Sequence, residues 1–105
     1  MPEREIDLIK NNLVDYLSPE KIYLFGSFAN GTADEGSDFD FYIIMRDGTE
    51  NLTDLTAEAY RSIRSVRKRA VDIVISTQSR FDINKNRAGL ENEIASKGVL
   101  LYGKP

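Results

Sequence analysis

Two short apolar runs, Lys21–Phe25 and Asp38–Met45, are separated by a loop rich in glycine, serine and aspartate, and that spacing decides most of what the chain can become. A parallel pair of strands needs a crossover of a dozen or so residues, usually a helix, and the segment from Phe25 to Asp38 is too short for a full one. The two strands must therefore meet in a sheet that is not purely parallel. The first run stops at Gly26-Ser27, and the second opens with Asp38 and Asp40, spaced by one residue. That order suggests a phosphate cradle facing a metal site.

The remaining elements follow from periodicity. Ile6, Ile9, Leu13 and Leu17 recur at steps of three and four and predict a helix over Glu3–Leu17, stopped by Ser18-Pro19. Ser27 is placed to cap a short helical turn running to about Gly31. Thr32–Ser37 reads as loop, with Ser37 fixing the approach to Asp38. In the second strand, alternation puts Asp38, Asp40, Tyr42 and Ile44 on one face and Phe39, Phe41, Ile43 and Met45 on the other. The aromatic residues among these read as core rather than as base-stacking groups.

A long helix is expected from about Asn51 to Lys68, with Leu52, Leu55, Ala59, Ile63 and Val66 as its buried stripe. Its charges run from acidic to basic, ending in Arg61, Arg64, Arg67, Lys68 and Arg69, which suits the helix dipole and reads first as a solvated surface. Val71–Ile75 is a third strand, interrupted by Asp72. A polar stretch from Ser76 to Asn86 has room for a turn of helix near Phe81; Leu90 and Ile94 then mark a short helix ended by Gly98, and Val99–Tyr102 forms an edge strand. The sum is a single domain over residues 1–105, α/β (α+β), with a small mixed sheet carrying helices.

Absent residue types narrow the chemistry. The chain has no cysteine and no histidine, which removes disulfides, thiol nucleophiles, imidazole bases and the usual zinc ligands. A metal held by side chains must be bound through oxygen, which selects Mg²⁺, Mn²⁺ or Ca²⁺. A net charge of −3 argues against strong direct nucleic-acid binding, because that affinity comes mainly from cations meeting phosphates. No apolar run spans a membrane and no leader is recognised, so the expected location is the cytoplasm. The sequence leaves the oligomeric state open.

Asp38 and Asp40 have their roots roughly 7 Å apart on one strand face, within reach of one divalent ion. Taken alone, the pair equally describes a charged strand end, and Gly26-Ser27 alone describes a turn. Their combination is more specific. A strand ending in Gly26-Ser27, a loop, and then Ser37-Asp38-Phe39-Asp40 opening a second strand resembles the signature of the polymerase-β-type nucleotidyltransferase superfamily. Gly26-Ser27-Phe28-Ala29-Asn30-Gly31, the small size and the closing Gly98–Tyr102 segment are most similar to the minimal nucleotidyltransferases.

The resemblance implies that Gly26 and Ser27 bind nucleotide phosphates, and that Asp38, Asp40 and a third carboxylate, matched by Asp72, hold Mg²⁺ (or Mn²⁺) and carry catalysis. It further implies ATP as substrate and a HEPN-class toxin as partner, with the chain as the antitoxin that adenylylates it. One position departs from the pattern: where many relatives have an arginine two residues after the aromatic of the Gly-Ser turn, this chain has Asn30. That substitution also suits a catalytically weak or inactive subunit that binds and masks the partner. A Ca²⁺-binding structural domain is a third reading, against which the acidic loop from Asp34 lacks an EF-hand pattern.

Overall fold

The computed structural model describes residues 2–105. In chain order the elements are α1 (Glu3–Leu17), β1 (Lys21–Phe25), α2 (Ser27–Asn30), β2 (Phe39–Met45), α3 (Leu52–Ile63), β3 (Val71–Thr77), α4 (Gln78–Asn84), α5 (Leu90–Lys97) and β4 (Val99–Gly103). The strands form one sheet in the order β3-β2-β1-β4. β1 runs antiparallel to β2 and to β4, whereas β2 and β3 are parallel, so the sheet is mixed as the short Phe25–Asp38 connection requires.

Each face of the sheet has its own core. On one, Ile22, Leu24, Phe39, Phe41 and Ile43 pack with Ile6, Ile9 and Leu13 of α1 and Ala59 and Ile63 of α3. On the other, Tyr42 and Ile44 pack with Phe81 of α4 and Ile94 of α5. From Phe41 to Met45 every residue of β2 is buried, as expected of a strand covered on both sides. Tyr42 is fully buried, so the reading of it as core holds. Among the described residues no helix is long and apolar enough to cross a membrane.

The boundaries of α3, β3 and β2 differ from expectation. α3 ends at Ile63 rather than near Lys68; the Asn12 side-chain amide donates to the Ser62 carbonyl at 2.8 Å, and Glu5 Oε2 accepts from the Lys68 N–H at 3.0 Å. The chain leaves the helix there to start β3 beside β2. Only Arg61 therefore occupies the last turn, and Arg67–Arg69 belong to the connection, not to a dipole-complementing helix end.

β3 continues through Ser76 to Thr77, and the following polar stretch holds a helix of two turns, α4, opened by Asp47 Oδ1 accepting from the Ser79 N–H at 2.8 Å. α5 ends before Gly98 as expected, and Gly98 is extended, φ −67° and ψ 155°. Glycine is required there because a Cβ would press on the Ile94 carbonyl oxygen. β2 begins at Phe39, which leaves Asp38 on the exposed approach to the strand.

Candidate functional site

Register assembles the site. Phe25, the last residue of β1, pairs with Asp40 of β2, and Asp40 pairs with Asp72 of β3. Because β1 is antiparallel to β2 while β3 is parallel to it, the end of β1 meets the beginnings of both other strands. Gly26-Ser27, Asp38, Asp40 and Asp72 are thereby gathered at one end of the sheet. All the residues singled out in the sequence lie there.

The turn after β1 is tighter than a serine-capped helix. Gly26, not Ser27, is the N-cap of α2, with φ 74° and ψ −151°, and no side chain caps the turn. Ser27 instead occupies the first helical position. The reason is steric: a Cβ on Gly26 would collide with Oδ2 of Asp40. Both the backbone conformation, open essentially to glycine alone, and the carboxylate lying against its Cα fix this residue type. The turn is closed by Ala29 and Asn30 N–H groups donating to the Gly26 carbonyl and by Thr32 N–H donating to that of Ser27.

The loop before Asp38 is organised as the sequence suggested. Ser37 Oγ accepts from the Asp34 N–H at 2.9 Å and donates to Asp34 Oδ1 at 3.2 Å, while that same oxygen accepts from the Gly36 N–H at 2.9 Å. Asn30 closes α2 on the exposed side, so α2 contains no basic side chain.

Electrostatics single out Asp40. Its carboxyl is pushed up from the ordinary 3.8 to about 6, chiefly by burial, then by the charges of Asp72 and Asp38, and by a side-chain hydrogen bond with Asp72. The neighbouring charges of Asp72 and Asp38 add to burial in disfavouring ionised Asp40, a condition that a hard cation relieves. The donors fit Mg²⁺ or Mn²⁺ in atom type and charge. Among the described residues, however, no three acidic side chains are drawn together tightly enough to form a closed ligand set. The side-chain arrangement is an open one.

Behind the acids on the same face, Tyr42 Oη donates to Glu91 Oε2 at 2.9 Å, tying β2 to α5. Burial is the main cause that raises the Tyr42 hydroxyl to about 12, so it stays protonated and serves as a hydrogen-bond donor. Sequence reasoning does not find Glu91 or the role of Arg69, whose side chain lies over Phe28 and Phe39. Neither has a local signal, since each is brought into place by long-range packing.

A cleft of about 770 Å³ lies elsewhere. It is lined by Leu17, Met45 and Leu55 with Glu50, Asp54 and Glu58, at the Met45 end of β2. Arg46 and Lys104 also line it, and none of the candidate site residues does.

Comparison with known proteins agrees with this geometry. Residues 7–105 match the family model for polymerase beta, nucleotidyltransferase. No curated protein matches the sequence. Among solved structures, a proposed nucleotidyltransferase from Sulfolobus solfataricus is similar in fold, with a TM-score of 0.67 at 21% identity, covering 96% of this chain and 79% of that one. A toxin–antitoxin structure with AMP-PNP gives a TM-score of 0.64 at 23% identity, over 99% of this chain and 75% of the other. The toxin–antitoxin MntA-HepT gives 0.55 at 18% identity, over 97% and 73%. With the family model spanning nearly the whole chain, the protein belongs to the polymerase-β-type nucleotidyltransferase family.

Proposed function

We propose that the chain is a Mg²⁺-dependent nucleotidyltransferase that transfers AMP from ATP to a hydroxyl of a HEPN-class partner, as the antitoxin of a toxin–antitoxin pair. The observation that carries this reading is the gathering of Gly26-Ser27 and three aspartates at one end of the sheet. The fold shared with a toxin–antitoxin structure holding AMP-PNP supports an adenine nucleotide and a toxin as partner.

In this reading the Ser27 hydroxyl and the free N–H groups at the start of α2 bind the β- and γ-phosphates, and the glycine lets the backbone come close. Asp38, Asp40 and Asp72 hold the metal. When bound, Mg²⁺ supplies charge neutralisation at the phosphates and lowers the pKa of the acceptor hydroxyl. The acceptor oxygen attacks the α-phosphorus in line, the bond to the pyrophosphate oxygen breaks, and the hydroxyl proton passes to Asp72. The chain's contribution to rate is positioning and electrostatic complementarity.

A second reading is a subunit that binds and masks its partner without catalysis. Asn30 in place of an arginine, and the open arrangement of the acids, favour it. Incubating the protein and a HEPN-class partner with labelled ATP and Mg²⁺ separates the two. Label on the partner that disappears with Asp40→Asn supports transfer; a stable complex that takes no label from any nucleotide supports masking.

A further inference from the structure

α2 has no buried residue and spans only Ser27–Asn30, too short to hold itself in place by helix formation. What anchors it is Phe28, whose ring packs 4.7 Å from that of Phe39. Arg69 completes this contact: its Cζ lies 5.1 Å from the Phe28 centroid and 4.7 Å from the Phe39 centroid. Its Nε is 3.6 Å from Glu5 Oε1 and, although buried, meets no hydrogen-bond acceptor. A guanidinium that gives up a hydrogen bond at this nitrogen is held by stacking and by the charge of Glu5.

The connections of that one side chain reach every part of the site. Phe28 follows Ser27 of the phosphate turn. Phe39 stands between Asp38 and Asp40, and Arg69 itself lies three residues before Asp72, on the segment whose Ala70 carbonyl accepts from the Phe39 N–H at 3.1 Å. Glu5, which accepts from the Lys68 N–H, fixes the segment from α1.

We propose that Arg69 is a positioning residue, acting through Phe28 to set the Gly26–Gly31 turn against the three aspartates. Together with Glu5 it anchors from outside a turn that carries Asn30 and no cation of its own. The inference deepens the proposed function, because its importance to nucleotide rests on that turn binding phosphate.

The test uses the full-length chain with R69M, F28L, the double variant and R69K. Amide exchange at Ala29, Asn30 and Thr32 reads the turn directly, with Ile43 of β2 as the internal reference. R69M is expected to speed exchange in the turn by about tenfold and leave Ile43 unchanged. In ATP binding with Mg²⁺, R69M and F28L each weaken affinity by about tenfold, and the double variant is no weaker than the worse single, since both remove one contact. R69K keeps the charge without the planar stack and recovers less than half of the loss in free energy.

Unchanged exchange in the turn after R69M overturns the proposal, as does equal acceleration at Ile43. Effects on ATP affinity that multiply in the double variant to about a hundredfold also overturn it, because Arg69 would then act independently of Phe28. If the unaltered chain binds no ATP, the phosphate-site reading fails while the exchange measurement still judges the anchor.

Discussion

Replacing Asp40 by asparagine should make the protein more stable. Asp40 is ionised at neutral pH against its environment, with a pKa of about 6 in the folded protein and an ordinary value of 3.8. A raised carboxyl pKa means that the folded state binds more protons than the unfolded state between those values, so the stability it confers is complete below about 3.8 and is lost as pH rises through about 6. At about 1.4 kcal/mol per pKa unit the full shift corresponds to roughly 3 kcal/mol. The side chain is only partly buried, and solvent screening brings the expected cost to about 1–2 kcal/mol.

The asparagine side chain has nearly the same shape as the aspartate, so it fits against Gly26 without leaving a cavity and carries no charge toward Asp38 and Asp72. In a chain of this size the midpoint of thermal unfolding should rise by about 5–10 °C near pH 7.5, without divalent cation. Near pH 4 the native Asp40 is already largely protonated and the gain should shrink to within about 0.5 kcal/mol. Thermal or urea unfolding at the two pH values decides it. Equal or lower stability of the variant near pH 7.5, or a gain of the same size at both, refutes the argument that buried charge repulsion is held at this residue.

Other substitutions test neighbouring links. Gly26→Ala should cost at least about 2 kcal/mol in urea unfolding, from the unfavourable backbone and the collision with Asp40; adding Asp40→Ala should recover part of that loss. Tyr42→Phe removes the hydrogen bond to Glu91 and should lower stability by about 1–2 kcal/mol, with retention of wild-type stability counting against a role for that bond. Ser37→Ala should change global stability by no more than about 0.5 kcal/mol, since its partners are exposed, while amide exchange at Asp34 accelerates.

The site is more legible in the sequence than the surfaces that support it. Strand alternation and the punctuation of short loops are local properties that place Gly26, Ser27, Asp38, Asp40 and Asp72 at strand ends or in a strand, while the resemblance to the nucleotidyltransferases is what picks them out as one set and adds Asp72 to it. The buried stripes of α1 and α3 are equally visible. The end of α3 is not, because Val66 continues the helical spacing and only Asn12 and Glu5, distant in sequence, show that the chain has turned away. Arg69 illustrates the same limit: as one of several cations it reads as surface, and only the rings of Phe28 and Phe39 reveal it as partly enclosed. Ser27 reads as a cap in the sequence because the contact that requires glycine one residue earlier comes from the facing strand.

The most direct test of the account is a crystal structure of the protein with ATP and Mn²⁺, using the anomalous signal of manganese. The account predicts manganese ligated by Asp38, Asp40 and Asp72, with the triphosphate resting on the Gly26-Ser27 turn. Nucleotide seated elsewhere, or manganese that leaves these three carboxylates unliganded, would contradict it.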